Sequence, residues 1–302
     1  MQIAIVGLAG SGKTTVFNTL TRGHAETGGY GGVTLNVGVV KVPDARLDRL
    51  AEIFKPKKVV QADVTYVDLP APPASSEGRV GTEELPADHL ARLRDSDAML
   101  HVVRAFDDPA HPHPAGSVDP ARDLEQLDLE FTIADLATAY ADGTVRVTME
   151  LAASPGLVER IRAGYPHQHA LVDALSAKIE MELGELESAE AAVFMEELGI
   201  AESGLDRVIG LSYRLLGLIS FLTAGPDEVR AWPIVEGSTA VDAAGAIHTD
   251  LARGFIRAET VAYEDLIALG SIAEARKHGR LRSEGKTYRV QDGDVLEILF
   301  SK

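Results

Sequence analysis

Eight residues near the N-terminus have the types and spacing needed to hold a polyphosphate. The segment Gly7-Leu-Ala-Gly-Ser-Gly-Lys-Thr14 fits the pattern G-x-x-x-x-G-K-[ST]. Glycines let backbone N–H groups close around phosphate oxygens, while Lys13 bridges the β- and γ-phosphates and Thr14 places its hydroxyl on Mg²⁺. The predicted phosphate-binding residues are Gly7, Gly10, Ser11, Gly12, Lys13, Thr14 and Thr15.

A second acidic position fits the same chemistry. The stretch Val64-Thr-Tyr-Val-Asp68 is an apolar strand that ends in a carboxylate. In P-loop proteins such an aspartate holds Mg²⁺ near the phosphates. A strand-terminal aspartate by itself is usually a cap, but the P-loop upstream favours the metal role. We therefore predict Asp68 as a metal-site residue together with Thr14.

The elements that must position these residues alternate between strands and helices. Residues 2 to 6 read as a buried strand and residues 13 to 22 as a helix, joined by the glycine-rich turn. Strand-like segments recur at 37–42, 59–68, 98–103 and 144–151, with helical segments between them. This alternation predicts an α/β domain with a doubly wound, mostly parallel sheet.

Two further segments carry specific expectations. Thr27–Thr34 contains four glycines in eight residues, which predicts a mobile surface loop suited to a switch. Leu205–Leu222 is mostly apolar at helical spacing and predicts a packed helix that joins two domains. Short strand signals follow at 231–235, 255–261, 287–290 and 295–300. We predict a P-loop domain over residues 1–217 and a small α+β domain over residues 218–302.

Composition excludes several classes of protein. The 302 residues include no cysteine, which removes disulfides, thiolate metal sites and thiol nucleophiles. The net charge of −17 disfavours non-specific nucleic-acid binding by the whole surface. The longest apolar run, residues 215 to 224, is too short to span a bilayer, and the N-terminus opens on a strand without a basic leader. We expect a cytoplasmic protein without a membrane partner.

The chain resembles a known family, the Obg-like ATPases of the YchF group among the translation-factor-related P-loop GTPases. The likeness is densest at Asn36–Leu47, at His101-Val-Val-Arg-Ala-Phe106 and in the segments 223–232, 244–250, 254–259 and 290–295. It covers nearly the whole chain. The resemblance implies that the C-terminal domain is TGS-like, with a ubiquitin-like β-grasp fold, and that the protein acts on or near ribosomes with ATP or GTP and Mg²⁺.

The chain also departs from the family pattern. Members insert a helical hairpin after the helix that here ends near Tyr140, and this chain passes almost directly to its next strand. The family's Asp-x-x-Gly is Asp68-Leu-Pro-Ala71 here. The first-switch threonine falls on Gly32, so the neighbouring Thr34 is the remaining candidate for the metal. Gly10 replaces the asparagine of potassium-dependent relatives, so potassium stimulation is not expected.

The resemblance also assigns base and water contacts. Glu150 is the remnant candidate of the Asn-x-x-Glu motif, with a plain solvated strand end as the alternative. Ser176-Ala177-Lys178 resembles the final base-contacting loop. His113 falls on the family's loop histidine and is a candidate for orienting water, although a loop histidine is more often solvated. Lys13 is the second predicted catalytic residue.

Three functions remain open at this point. One is a slow ATP- or GTP-hydrolysing switch in translation, and another is a degenerate module that binds nucleotide without significant hydrolysis. A P-loop kinase ranks last because it does not explain the C-terminal domain. Contact with the ribosome or ribosomal RNA is expected through the C-terminal domain. Two interpretations stay open for its basic patch: contact with RNA phosphate or a ribosomal protein, or a helix turned to water. The patch comprises Arg276, Lys277, Arg280, Arg282, Lys286 and Arg289.

Overall fold

The computed structural model describes residues 1–23, 26–30, 33–69, 93, 95–133, 156–164 and 170–301. The strands are β1 (Gln2–Val6), β2 (Glu26–Tyr30), β3 (Val33–Lys41), β4 (Lys58–Val60), β5 (Asp63–Asp68), β6 (Ala98–His101), β7 (Leu218–Ala224), β8 (Glu228–Val235), β9 (Phe255–Ala262), β10 (Arg282–Glu284) and β11 (Asp294–Phe300). The helices are α1 (Lys13–Leu20), α2 (Ala45–Phe54), α3 (Pro120–Ile133), α4 (Leu157–Gly164), α5 (Ala177–Glu185), α6 (Ser188–Glu197), α7 (Gly204–Leu215), α8 (Ala240–Ile247), α9 (Thr249–Arg253), α10 (Tyr263–Leu269) and α11 (Ile272–Lys277).

The chain forms two compact units. The first contains Met1–Val40 and Val64–Leu215, and the second contains Lys41–Asp63 and Leu216–Lys302. The segment Lys41–Asp63 differs from our expectation for residues 1–217, because its strand β4 pairs in parallel with β8. The boundary between residues 217 and 218 stays a prediction.

The sheet of the first unit has the strand order β2-β3-β5-β1-β6. Strand β1 pairs in parallel with both β5 and β6, with Ile5 opposite Asp68 and Val6 opposite His101. The apolar side chains of β1, β5 and β6 are buried, as expected for parallel strands covered on both faces. This register brings the ends of three strands to one edge of the sheet, where the segment after β1 begins.

The glycine-rich segment Thr27–Thr34 differs from the loop that we expected. Its described residues belong to β2 and β3, which pair antiparallel with Gly28 opposite Leu35 and Gly29 opposite Thr34. The stretch 59–68, expected as one strand, divides into β4 and β5, which lie in different sheets. Local composition did not reveal either pairing, because a strand is stabilised by its cross-strand neighbours.

The second unit contains a six-stranded sheet in the order β10-β9-β11-β7-β8-β4. The hairpin β7–β8 is followed by α8, and β11 returns beside β7 in parallel while pairing antiparallel with β9. Helix α8 packs on the sheet through Ala240, Ala243 and Ala244, which are fully buried. This is the expected TGS-like, ubiquitin-like arrangement.

One helix and one strand were predicted wrongly in this region. The apolar stretch 205–222 was expected as a single helix, but α7 ends at Leu215 and Leu218 begins β7. Gly217, with φ of +62°, lies between them. Strand β7 is apolar because it lies between two other strands in a buried sheet. The strand expected over 287–290 consists of one isolated bridge between Arg289 and Thr239.

Candidate functional site

The segment Gly7–Thr14 follows β1 directly and leads into α1, as the phosphate-binding pattern requires. A Cβ on Gly7 would lie 2.3 Å from the backbone oxygen of Val102, so only glycine fits beside the end of β6. Gly10 and Gly12 have φ of +75° and +96°, conformations that favour glycine. Gly12 caps α1 without a side-chain hydrogen bond. The N-terminal N–H groups of α1 thus have no side-chain cap from Gly12, which suits a bound anion.

Lys13 lies inside this segment with 7 % of its surface exposed. Its Nζ donates to the backbone oxygens of Gly7 (2.8 Å) and Leu8 (3.0 Å). An ammonium group has three N–H donors, so one is left for a phosphate oxygen. Burial lowers the pKa of Lys13 to about 8, and the negative charge of Asp68 opposes that shift.

Thr14 and Asp68 are joined across the sheet edge. Thr14 Oγ1 donates to Asp68 Oδ2 at 3.2 Å, and Asp68 is 3 % exposed. Burial raises the pKa of Asp68, whereas Asn36, Thr14 and Lys13 stabilise its ionised form and oppose that shift. The Asp68 Oδ1 atom has no partner with good hydrogen-bond geometry among the described residues.

These residues fit a magnesium ion. Mg²⁺ is bound in nucleotide sites through one or two carboxylates or hydroxyls, with phosphate oxygens and water completing its octahedron. Asp68 contributes a buried carboxylate oxygen that has no well-aligned hydrogen-bond donor among the described residues, and Thr14 contributes a hydroxyl. No group of three or more His, Asp or Glu residues that could hold a metal occurs in the described ranges, and a phosphate-completed site needs none.

His113 lies beside the phosphate-binding segment with both ring nitrogens engaged. The residues that line a small cleft here include Leu8, Ala9, Ser11, His113 and Asp123. His113 Nδ1 accepts from the N–H of residue 115 at 3.1 Å, so Nε2 carries the proton and donates to Asp123 Oδ2 at 2.8 Å. One of these two hydrogen bonds of the His113 ring must therefore break before the ring can orient water.

One ion pair and two hydrogen bonds hold the candidate base-contacting loop. Ser176 caps α5 by accepting from the N–H of Ile179, with Ala177 buried and Lys178 exposed. Arg207 binds the preceding residues through the Asp173 carboxylate (2.9 Å) and the backbone oxygen of residue 174 (2.7 Å). Helix α5 also packs against α1, the helix that follows the phosphate-binding segment.

Glu180 joins α5, the helix that follows this loop, to the start of α7. It is 5 % exposed and accepts from Ser203 Oγ and from the N–H of Gly204, both at 2.7 Å. Because Gly204 begins α7, the carboxylate binds the N-terminus of that helix, a favourable place for a negative charge. The sequence interpretation did not identify either Glu180 or Arg207 as a positioning residue.

The remaining predicted site residues are less fully described. Thr34, in β3, is described through its backbone, which pairs with Gly29 of β2. Thr15 accepts a hydrogen bond from Thr19 Oγ1 at its backbone oxygen, a helical contact within α1. Glu150, Gly32 and Ala71 lie outside the described residues.

Comparison with known proteins identifies the family. A family model described as 50S ribosome-binding GTPase matches residues 2–134. A second model, YchF-GTPase_C, described as a protein of unknown function, matches residues 218–301. The Ribosome-binding ATPase YchF of Bacillus subtilis is 39% identical over an alignment that covers 100% of this chain and 99% of the relative. The chain belongs to the YchF family.

Further members of the YchF family agree with this assignment. The Ribosome-binding ATPase YchF of Haemophilus influenzae is 36% identical and is covered, like this chain, over 99% of its length. The solved structure of the Schizosaccharomyces pombe YchF GTPase superposes with a TM-score of 0.78 at 25% identity, covering 99% of this chain and 97% of that one. The expected fold class, a P-loop α/β domain with a small TGS-like domain, is confirmed.

This YchF chain is shorter than its relatives. The alignment with the Bacillus subtilis protein extends over 366 positions, whereas the chain has 302 residues, so about 64 aligned positions have no residue here. The comparison confirms a short member. The structure describes no residue between 134 and 155, the region where we expected the helical hairpin to be missing. No helix in the described ranges is long and apolar enough to cross a membrane.

Proposed function

We propose that this chain is a YchF-type NTPase that binds ATP or GTP with Mg²⁺, hydrolyses it slowly and acts on ribosomes in the cytoplasm. One observation carries the proposal: the Lys13 ammonium is buried within a phosphate-binding segment, and among the described residues only two of its three N–H donors have partners. A buried charge bonded to two neutral carbonyl groups is poorly compensated, and a phosphate oxygen would complete its coordination.

Different residues bind the phosphates, the metal ion and the base of the nucleotide. Backbone N–H groups after β1 and the N-terminus of α1 face the phosphates, and Lys13 neutralises the charge that develops between the β- and γ-phosphates. Thr14 and Asp68 hold Mg²⁺, which would neutralise the phosphate oxygens when bound. Ser176, Ala177 and Lys178 contact the base from a loop that Arg207 holds in place. Glu150 and Thr34 remain proposed contacts to the base and the metal.

Binding without turnover is the second candidate. It is favoured by His113, whose ring is 6 % exposed and bonded at both nitrogens. A general base must reach the attacking water within hydrogen-bonding distance. In the arrangement described, His113 donates to Asp123 instead. Hydrolysis then requires that this bond open in the nucleotide-bound state or when a partner binds.

The names of the relatives support a ribosomal partner, because they describe ribosome-binding ATPases. Within the C-terminal basic patch, Arg276 pairs with Glu259, Lys277 with Glu274, Arg280 with Asp265, and Arg282 with Asp294. The pairs of Lys277 and Arg280 are exposed on both sides and therefore weak, whereas Arg282 binds the buried Asp294. We propose that an RNA phosphate competes for these cations, so that ribosome binding weakens as salt concentration rises.

The test measures binding and turnover separately. Fluorescent ATP and GTP analogues are titrated against the wild type and Lys13→Ala, and phosphate release is then followed with and without ribosomes. We expect binding in the wild type that is lost in Lys13→Ala, and phosphate release that ribosomes increase. Tight binding without phosphate release under either condition would select the second candidate. Absence of binding by the wild type would refute both.

A further inference from the structure

Arg104 follows the buried strand β6 and is itself 2 % exposed. Its Nη1 atom lies 3.7 Å from the point that a Cβ on Gly10 would occupy. Gly10 is the fourth residue of the phosphate-binding segment. A guanidinium group therefore lies next to the backbone that is expected to surround the phosphates.

The guanidinium of Arg104 is only partly compensated. Its Nε donates to the backbone oxygen of Phe106 (3.0 Å), its Nη2 donates to the backbone oxygen of His111 (2.8 Å), and it lies 4.7 Å from the centre of the Phe106 ring. Among the described residues, Arg104 forms no ion pair and its Nη1 makes no hydrogen bond, although the guanidinium interacts electrostatically with the exposed Asp108 carboxylate. The atom that faces Gly10 is thus free to donate.

Burial of an arginine charge is unfavourable unless an anion or several acceptors compensate it. The two carbonyl groups account for two of the five N–H donors of the guanidinium. They also fix its plane, so that Nη1 points toward Gly10 with little rotational freedom left to lose on binding. A phosphate oxygen beside Gly10 would supply the missing negative charge.

We propose that Arg104 is a phosphate-binding residue that supplies a second cation, beside Lys13, to the polyphosphate of the nucleotide. The proposal rests on the function proposed above. It concerns a residue of the loop after β6, outside the phosphate-binding pattern. The competing role for Arg104 is purely structural, as a clamp that holds the loop from Phe106 to His111 through two carbonyl groups.

Three ligands separate these roles. The full-length protein is titrated with ATP or GTP, whichever it binds more tightly, with the matching nucleoside, and with inorganic tripolyphosphate, which has neither base nor ribose. The variants are Arg104→Gln, which removes the charge, and Arg104→Lys, which keeps it. Arg49→Gln is the matched control, because Arg49 is 60% exposed and pairs with Glu52 on the surface. Thermal unfolding of each variant measures the structural cost.

A charged hydrogen bond to phosphate is worth about 10-fold or more in affinity. We expect Arg104→Gln to bind the triphosphate and tripolyphosphate about 10-fold more weakly, to bind the nucleoside as the wild type does, and to have a shallower salt dependence of triphosphate binding. The triphosphate affinity of Arg104→Lys should lie between those of Arg104→Gln and the wild type. Arg49→Gln should match the wild type.

Equal loss for triphosphate and nucleoside would assign Arg104 to the clamp and overturn the proposal. Unchanged affinity for tripolyphosphate in a folded Arg104→Gln would overturn it as well. If Arg104→Gln does not fold, Arg104→Lys decides: a loss confined to phosphate-bearing ligands supports the proposal, and a loss shared by the nucleoside refutes it. In each of these cases, nucleotide binding by the wild type would still support the proposed function, so the two proposals can fail separately.

Discussion

Thr14 Oγ1 lies 3.2 Å from Asp68 Oδ2, and this hydrogen bond joins the first turn of α1 to the end of β5 across 54 residues of sequence. The two residues lie together because β1 pairs in parallel with β5, which places Asp68 opposite Ile5, two residues before Gly7. Burial raises the pKa of Asp68, whereas Asn36, Thr14 and Lys13 oppose that shift, and a bound metal cation would favour the ionised carboxylate further.

Replacement of this carboxylate should separate metal binding from fold stability. In Asp68→Asn we expect Mg²⁺ to lose most of its effect on nucleotide affinity, because the proposed contacts that remain, Thr14 and Thr34, carry no negative charge. The folded pKa of Asp68 lies above its unfolded value, so its ionisation destabilises the nucleotide-free fold as pH rises through that folded pKa. The variant should therefore unfold at the same or a higher temperature near neutral pH. Calorimetry with and without Mg²⁺ measures both effects.

Asp63→Asn is the matched control, at the exposed start of the same strand. It should leave the effect of Mg²⁺ on nucleotide affinity unchanged. A large magnesium effect that survives in Asp68→Asn would contradict the metal assignment.

Nucleotide binding should depend on pH through Lys13. The pKa of Lys13 is about 8 in the nucleotide-free protein, below the ordinary value of 10.5. A bound phosphate favours the ammonium form, so binding takes up a proton above about pH 8, and the affinity falls by at most about tenfold per pH unit there. Calorimetry in buffers of different ionisation enthalpy measures the proton taken up.

The lowered pKa of Lys13 affects stability in the opposite direction: nucleotide affinity falls with rising pH, whereas the free energy of unfolding rises. Between about pH 8 and pH 10.5 the unfolded chain binds more protons at Lys13 than the folded chain does, so the free energy of unfolding should rise with pH. Lys13→Met should lack this rise, whereas Lys57→Met, at a lysine that is 82% exposed, should keep it. Proton uptake that is the same with and without Lys13 would disprove the assignment.

His113 gives the sharpest test of turnover. We expect His113→Gln to reduce single-turnover phosphate release by about 10²-fold, the lower end for a positioned general base, while nucleotide affinity is kept. Its bond to Asp123 adds a stability loss of about 1 kcal/mol. His111→Gln is the control, because His111 is 81% exposed and bonds Asp108 on the surface. A stability loss with unchanged phosphate release would leave His113 a structural role alone.

Glu180 should be a strong stability determinant of the first unit. Glu180→Ala removes the acceptor of the Ser203 hydroxyl and of the buried N–H of Gly204, which costs about 2–3 kcal/mol in urea unfolding. Glu182→Ala, an exposed position on the same helix, should stay within about 0.5 kcal/mol of the wild type. Comparable losses in the two variants would show that the contact is unimportant.

Sequence alone identified the features whose cause is local. Gly7, Gly10, Gly12 and Lys13 form a pattern because the backbone must turn tightly within eight residues. Such a local constraint fixes residue types at neighbouring positions, where the sequence shows them directly. Asp68 could be predicted because its strand ends in an acid and parallel strands end at one edge of a sheet. The TGS-like region could be recognised by family resemblance along its whole length.

Only the tertiary structure revealed the features that depend on contacts between residues far apart in sequence. The glycine-rich Thr27–Thr34 became part of a hairpin, and Leu218–Leu222 became a strand between two others, because cross-strand contacts outweigh local preference. In the sequence, Arg104 belongs to the family-like segment 101–106, but it was assigned no role there because no spacing marks it as a site. Its place beside Gly10 follows from the pairing of β1 with β6, which brings residues far apart in sequence within a few ångströms.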